Sequence, residues 1–309
     1  MPPAQTLAAG TSVTQKYPSL GFTGIQMRYP LNKLFGMIVG RFSSGKSTLF
    51  QSNPEAYIIN SDLTSTVAEP LRATIWPGVS PSGEPIDADS KPMQLTHQRV
   101  LDKLKLLEAL SKENKPRPSC VVYDTITTEA ALTKAWMVEN ANSRRQDNKP
   151  PITRWRDLHG ETAWDELYEN ILFTCAWLRG LGYGVWLLIH LTDDVIRLND
   201  AETIVKPKLS LPDGFMKRAG PLLEVIGLAT KEVEQEVITK KEDVLNDKTG
   251  EKLYTKDVTI TVPKTRYYVD FDNPKLAGIL KPRAGARGRI PLSKEDPWGD
   301  FERAYNSSN

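Results

Sequence analysis

Residues 34–50 read LFGMIVGRFSSGKSTLF. The first six are apolar or glycine, as in a short strand that is buried on both faces, and the last four suit the first turn of a helix. Between them, residues 40–47 fit the phosphate-loop pattern GxxxxGK[ST]. In such a loop the glycines let backbone N–H groups and the start of the following helix face phosphate oxygens. The segment therefore predicts a strand–loop–helix unit that binds a nucleotide.

Two side chains of this loop have assignable chemistry. Lys46 has the reach to contact the β- and γ-phosphates, and the Ser47 hydroxyl is suited to binding Mg²⁺. The candidate nucleotide-binding residues are Gly40, Arg41, Phe42, Ser43, Ser44, Gly45, Lys46, Ser47 and Thr48.

A later apolar run, CVVYD at residues 120–124, ends in an acid. This is the Walker B form, in which a buried strand delivers a carboxylate, here Asp124, to the Mg²⁺ shell. Asp62, just past the apolar run 56–59, is the main candidate for orienting and deprotonating water, although a helix N-cap would explain it equally well. Glu129 is a lesser candidate and is more simply a solvated helix residue.

A fourth apolar run, residues 185–189, ends at His190. A polar side chain at the carboxyl end of a parallel strand can sense the γ-phosphate, but a hydrogen-bonded strand-end histidine is the competing interpretation. Helical patterns separate the four runs, which predicts an α/β fold with a mainly parallel sheet flanked by helices.

Composition sets the outer limits. The chain has 309 residues, of which 39% are apolar, an ordinary fraction for a globular protein. Its net charge of +2 excludes a chain that is basic overall. No apolar run approaches the roughly 20 residues needed to cross a bilayer, and the N-terminus has no signal pattern, so we expect a cytoplasmic protein without membrane contact. Two separated cysteines and three histidines argue against a disulfide framework or a multi-histidine metal site.

Three segments are expected along the chain. Residues 1–30 have little periodicity and form an N-terminal arm, and residues 31–230 form the α/β core. Residues 231–309 hold two strand patterns around the turn signal NDKTGEK, which predicts a β-hairpin, followed by a basic tail.

The order of these motifs resembles the core of RecA-type recombinases, and over residues 30–290 it is similar to phage-encoded RecA-like P-loop ATPases, some of which act in single-strand annealing and recombination. The resemblance implies ATP and Mg²⁺ as ligands, assembly into a ring or filament, and the host cytoplasm as location. It places Asp62 where the family has a catalytic carboxylate, usually Glu, and His190 where it usually has Gln.

The same resemblance assigns two further elements. Lys281 and Arg283 match a basic pair that reaches the neighbouring subunit's γ-phosphate and neutralises transition-state charge. A phosphate contact with DNA or a solvated tail would also explain this basic cluster. Lys264 and Arg266 are a second candidate pair.

The resemblance makes the segment from Thr192 to Pro212 the DNA-binding loop. Basic side chains surround it, namely Lys206, Lys208, Lys217 and Arg218. Phe215 would either stack on a base of single-stranded DNA or pack in the core.

We therefore expect a Mg²⁺-dependent ATPase that assembles and binds single-stranded DNA in phage recombination, annealing or replication. The alternatives are a motor, helicase-like or packaging ATPase on duplex DNA, and a non-catalytic annealing module that ATP stabilises. A GTPase is disfavoured because no NKxD-type signal for reading guanine stands out.

Overall fold

The computed structural model describes residues 30–61, 73–74, 97–113, 117–145, 149–158, 162–197, 203–245, 250, 252–273, 280 and 287–307. The chain divides into two compact units, Met1–Pro30 and Leu31–Asn309, and the secondary structure below belongs to the second. Among the described residues, no helix is both long and apolar enough to span a membrane.

The described residues contain nine strands and six α-helices. The strands are β1 (Phe35–Gly40), β2 (Ala56–Asn60), β3 (Ala73–Thr74), β4 (Cys120–Asp124), β5 (Gly184–Arg197), β6 (Thr203–Leu209), β7 (Val225–Leu245), β8 (Lys252–Asp270) and β9 (Arg289–Leu292). The helices are α1 (Lys46–Gln51), α2 (His97–Lys112), α3 (Ile126–Ser143), α4 (Thr162–Gly180), α5 (Asp213–Ala219) and α6 (Pro297–Ser307). Two short 3₁₀ helices cover Leu31–Lys33 and Trp155–Asp157.

The strands form one mixed sheet. Its order is β3-β2-β4-β5-β1-β7-β8-β9, with β6 paired to β5. Six strands that are neighbours in this order run parallel, namely β3, β2, β4, β5, β1 and β7. Strands β6, β8 and β9 pair antiparallel with their neighbours. This sheet, together with the loop between β1 and α1, confirms the predicted α/β fold with a RecA-like P-loop core and a C-terminal β-hairpin.

Helices cover both faces of the sheet, which explains why its central strands are continuous apolar runs rather than alternating ones. Successive residues of β1 point to opposite faces, so that Met37 and Val39 pack in one apolar cluster and Ile38 in another. Helices α2 to α5 contribute to the first cluster and helices α1 and α6 to the second.

The segment predicted as a DNA-binding loop, Thr192 to Pro212, is mostly a second β-hairpin. Strand β5 continues past the sheet to Arg197 and pairs with β6, with Val195 opposite Val205. The interpretation of this segment as a loop was wrong because its polar residues are interrupted by β-branched ones, which favour extended backbone.

The C-terminal hairpin grows directly out of the core sheet. Strand β7 starts at Val225 beside β1 and runs through residue 230 to Leu245, and β8 returns to Asp270. Beyond Lys231, β7 and β8 pair only with each other within the described part of the chain, so this part is a two-stranded ribbon.

The end of the chain packs back against the core. Helix α6 buries Trp298, Phe301 and Tyr305 against the face of the sheet on which α1 also packs. The Trp298 backbone N–H donates to the Ser52 hydroxyl over 2.8 Å. The second apolar cluster therefore depends on residues at both ends of the described chain.

Candidate active site

The phosphate loop has a backbone that only glycine fits at two positions. Gly45 has φ of 90°, in the left-handed region, and a Cβ there would lie 2.8 Å from Cδ1 of Tyr267 on β8. A Cβ on Gly40 would lie 2.4 Å from the Ser44 hydroxyl oxygen and 2.7 Å from the Ala229 carbonyl oxygen. The glycines of the motif thus serve both loop curvature and the close approach of β7 and β8.

Lys46 is folded into this loop. Its side chain is buried, and Nζ donates to the Gly40 carbonyl over 2.9 Å and to the Arg41 carbonyl over 2.8 Å. The ammonium group is therefore held inside the curve of the loop, where phosphate oxygens would replace the two carbonyls as acceptors.

Asp124 ends β4 at the same sheet edge at which Gly40 ends β1. Strand β5 lies between them and pairs Gly40 with His190 and Asp124 with Leu188. Two strand spacings give a separation of about 10 Å across the sheet, which one metal ion with its ligands and phosphate oxygens can bridge.

Ser61 fixes the backbone around Asp124. Its N–H donates to the Asp124 carbonyl over 2.7 Å and its hydroxyl to the Thr125 carbonyl over 3.1 Å. Both Ser61 and Asp124 are buried, and Thr125 caps α3 by accepting from the Thr128 N–H. A serine after a strand has no distinctive sequence signal, so Ser61 was not among the predicted site residues.

His190 lies beside the phosphate loop. It is half-buried directly opposite Gly40, and its ring stacks on Phe42 with 6.2 Å between centroids. Phe42 is 65% exposed. His190 does not end its strand as predicted, because β5 continues to Arg197 by pairing with β6. The ring of Phe42 and this mid-strand histidine form one aromatic contact at the rim of the site.

An ion pair also connects the loop to the β5–β6 hairpin. Arg41 Nη2 lies 2.6 Å from Asp193 Oδ1, which is three residues beyond His190 on β5. Both side chains reach solvent, so we assign the pair little net stability. The partners lie 152 residues apart, so no local sequence pattern predicts this pair.

Some predicted site residues lie outside the described residues, namely Asp62, Lys281 and Arg283. The second candidate pair is described and is engaged within the ribbon. Lys264 lies 2.6 Å from Glu236, and Arg266 lies 2.7 Å from Glu234.

The residues expected to contact DNA are divided. Phe215 is completely buried and packs edge-on against Tyr168, so the interpretation of Phe215 as a base-stacking residue was wrong. Arg218 pairs with Asp165 over 2.7 Å. Lys208 and Lys217 are exposed, and the side chain of Lys206 lies outside the described residues.

Residues 32–266 match a family of AAA domains. The chain belongs to this AAA domain family. The phosphate loop and the RecA-like arrangement of the sheet fit a P-loop NTPase by family and fold.

Solved structures with low sequence identity were also found. The flagellar accessory protein FlaH from Methanocaldococcus jannaschii is 12% identical, with 87% of this chain and 88% of that chain covered and a TM-score of 0.33. A KaiC-like protein from Pyrococcus horikoshii is 9% identical, with 86% of this chain and 88% of that chain covered and a TM-score of 0.35. The RadB recombinase is 10% identical, with 84% of this chain and 91% of that chain covered and a TM-score of 0.30. A search of curated proteins found no match.

Proposed function

We propose that this AAA domain hydrolyses ATP with Mg²⁺. One observation carries the proposal: the phosphate loop after β1 and Asp124 at the end of β4 lie at the same sheet edge, with β5 between them. This arrangement brings a phosphate-binding backbone and a buried carboxylate to one ligand.

The residues present fit a magnesium ion. Hydroxyl and carboxylate oxygens are ligands that Mg²⁺ accepts, and Ser47 and Asp124 would supply one of each. When bound, the ion would neutralise charge on the β- and γ-phosphate oxygens. The buried position of Asp124 suits a carboxylate whose charge is matched by a cation rather than by water.

The chain's own groups would act on the phosphates in defined ways. Lys46 Nζ would exchange the carbonyls of Gly40 and Arg41 for β- and γ-phosphate oxygens. The loop glycines leave the backbone N–H groups free of side-chain obstruction on the phosphate side. Asp62, which follows the fixed residue Ser61, is proposed to orient the attacking water and to accept its proton.

We further propose that the protein assembles into a homo-oligomer, a ring or a filament, and acts on single-stranded DNA in phage recombination, annealing or replication. In an assembly, Lys281 or Arg283 would reach the γ-phosphate of a neighbouring subunit. The engagement of Lys264 and Arg266 by ribbon carboxylates supports choosing the first pair for this role.

The β5–β6 hairpin is the proposed DNA contact. It leaves the sheet next to the phosphate loop, it carries the exposed Lys208, and the Arg41–Asp193 pair joins it to that loop. DNA bound at the hairpin would therefore act on the loop through Asp193.

The test is ATP hydrolysis by the wild type, Lys46→Ala and Asp124→Asn, with Lys105→Ala and Asp102→Asn as matched exposed controls on α2. Removing a group that stabilises transition-state charge costs roughly 10²–10³-fold in rate. We expect that loss for the two site variants and unchanged rates for the controls. Equal rates in all five proteins would refute the proposal.

The same assay tests DNA and assembly. Hydrolysis is measured over a dilution series with and without single-stranded DNA, and then with duplex DNA. A rate per subunit that rises with protein concentration and with single-stranded DNA supports the proposed homo-oligomer that acts on single-stranded DNA. A rate that is independent of both contradicts it, and stimulation by duplex DNA alone favours a motor.

A further inference from the structure

Glu129 is a buried acidic residue close to the candidate active site. It lies in the first turn of α3, five residues after Asp124. It is only 4% exposed, so the expectation of a solvated helix residue was wrong. Burying a carboxylate is costly unless other groups pair with it. The partners of Glu129 therefore indicate what it does at this position.

The carboxylate of Glu129 is held through one of its two oxygens. His97 Nδ1 lies 2.9 Å from Oε1, and the Thr133 hydroxyl lies 3.4 Å from the same oxygen. The other oxygen, Oε2, is buried and has no hydrogen-bond partner within the described part of the chain. Burial raises the pKa of Glu129, and the hydrogen bond from His97 opposes that effect. The shortest polar contact of this side chain is therefore the one with His97.

His97 is itself fixed in place between two helices. It is the first residue of α2, and its side chain is 13% exposed. Its ring lies 5.0 Å from the ring of Trp136, and its Nδ1 lies 3.3 Å from the Thr133 hydroxyl. Glu129, Thr133 and Trp136 lie on one face of α3, because their spacing is four and then three residues. His97 therefore joins the start of α2 to this face of α3.

The backbone of Glu129 continues the connection to the end of β4. The Glu129 N–H donates to the Thr125 carbonyl over 3.1 Å. The same carbonyl accepts from the Ser61 hydroxyl over 3.1 Å, and the Ser61 N–H donates to the Asp124 carbonyl over 2.7 Å. The backbone that presents Asp124 is thus held by Ser61 after β2 and by Glu129 on α3. A displaced first turn of α3 would change the orientation of Asp124.

We propose that His97 is a positioning residue for Asp124. Its contact with Glu129 fixes the first turn of α3, and this turn fixes the backbone that presents Asp124 to a magnesium ion. The role rests on the proposed function, because only a bound Mg²⁺–nucleotide makes use of the orientation of Asp124. Groups that orient a metal ligand change metal affinity or activity about 10–100-fold when they are removed. His97 acts through Glu129, so we expect the lower end of this range.

The experiment separates the hydrogen bond of His97 from the shape of its ring. His97→Phe keeps a ring against Trp136 but has no donor, whereas His97→Asn keeps an N–H near the position of Nδ1. Calorimetry at 20 °C measures binding of AMP-PNP, an ATP analogue that is not hydrolysed, with and without Mg²⁺. We expect the gain in affinity that Mg²⁺ provides to fall about tenfold in His97→Phe and to stay within threefold of the wild type in His97→Asn. Binding without Mg²⁺ should be equal in all three proteins, because the phosphate loop is unchanged.

A double-mutant cycle tests whether His97 acts through Glu129. Glu129→Ala removes the same contact from the other side, and Glu139→Ala, at an exposed position of α3, is its matched control. We expect about a tenfold loss of the Mg²⁺-dependent gain in Glu129→Ala and no loss in Glu139→Ala. The double variant His97→Phe/Glu129→Ala should also lose about tenfold rather than a hundredfold, because the two single changes remove one interaction.

Thermal unfolding identifies variants that are folded at 20 °C, and Glu129→Ala replaces His97→Phe as the test variant if the latter is not. A lower melting temperature with an unchanged Mg²⁺-dependent gain in His97→Phe would overturn the proposal and leave His97 a structural role only. Additive losses in the double variant would overturn it as well. Both results leave the proposed ATPase intact, whereas a wild type whose affinity for AMP-PNP does not change with Mg²⁺ would contradict the proposed function and the role of His97 together.

Discussion

At the scale of single residues, the phosphate loop depends on the absence of side-chain atoms. Gly45 combines a φ of 90° with a close approach to the ring of Tyr267. Two independent penalties, backbone strain and a steric clash, therefore apply to any substitution at this position. Among the other described glycines, Gly182 also has a positive φ, of 86°, but the nearest atom to a Cβ there is Arg117 Nη2 at 3.0 Å, the end of a flexible side chain.

This difference predicts an ordered series of stabilities. Gly45→Ala should lower the free energy of unfolding by about 1–3 kcal/mol and weaken nucleotide binding as well. Gly250 has a φ of 72°, but a Cβ there would meet no atom within 4 Å. Gly250→Ala should therefore lower the free energy of unfolding by about 1 kcal/mol. Gly180→Ala, in open space at the end of α4, should be neutral or stabilising by up to about 1 kcal/mol.

Urea denaturation of the three variants and the wild type provides the measurement. A Gly45→Ala variant as stable as Gly250→Ala would mean that Tyr267 moves away at no cost. In that case the ring would not constrain the loop.

At the scale of elements, helix α6 is the least expected part of the core. It lies within the segment that the sequence predicts as a basic tail, yet Phe301 is completely buried, with its ring stacked on Phe271 and edge-on to Trp298. Its packing beside α1 connects the end of the chain to the helix of the phosphate loop. Removing this helix should therefore destabilise the nucleotide site and not only a peripheral extension.

A phenylalanine pair tests this contribution. Phe301→Ala should cost about 3–5 kcal/mol of stability, through lost burial and the cavity left behind. Phe173→Ala, the same change at a side chain that is 74% exposed, should stay within about 0.5 kcal/mol. Thermal unfolding with and without ATP would measure both, and similar losses in the two variants would contradict the assignment of α6 to the core.

At the scale of the whole molecule, the two cysteines lie in the apolar clusters on opposite faces of the sheet. Cys120 packs with the cluster that contains α1 and α6, and Cys175 packs with the cluster of α2 to α5. Both thiols are buried and free of disulfides. Burial raises the pKa of each thiol to about 12.

These values predict thiol reactivity in the native state. A thiol with a pKa near 12 is almost entirely protonated at pH 8, and only the thiolate attacks a disulfide reagent. A colorimetric disulfide reagent at pH 8 should therefore detect almost no thiol in the folded protein, and both cysteines in guanidinium chloride. Rapid reaction of one cysteine in the folded protein would show that its face of the sheet opens locally.

Local chemistry was sufficient for the phosphate loop, for the acid that ends β4 and for the parallel α/β core. The reason is that each signal lies within about ten residues: an apolar run of strand length, a glycine pattern that curves the backbone, and a charged residue at the end of a buried run. The hairpin β7–β8 was predictable for the same reason.

Only the tertiary structure showed what surrounds these motifs. Tyr267 lies against Gly45, Arg41 pairs with Asp193, and Phe215 lies in the core. Glu129 was expected at the surface but is buried beside His97. Each of these contacts joins segments that are distant in sequence, and their geometry follows from how the sheet orders its strands and how helices pack on its two faces, which no local pattern encodes.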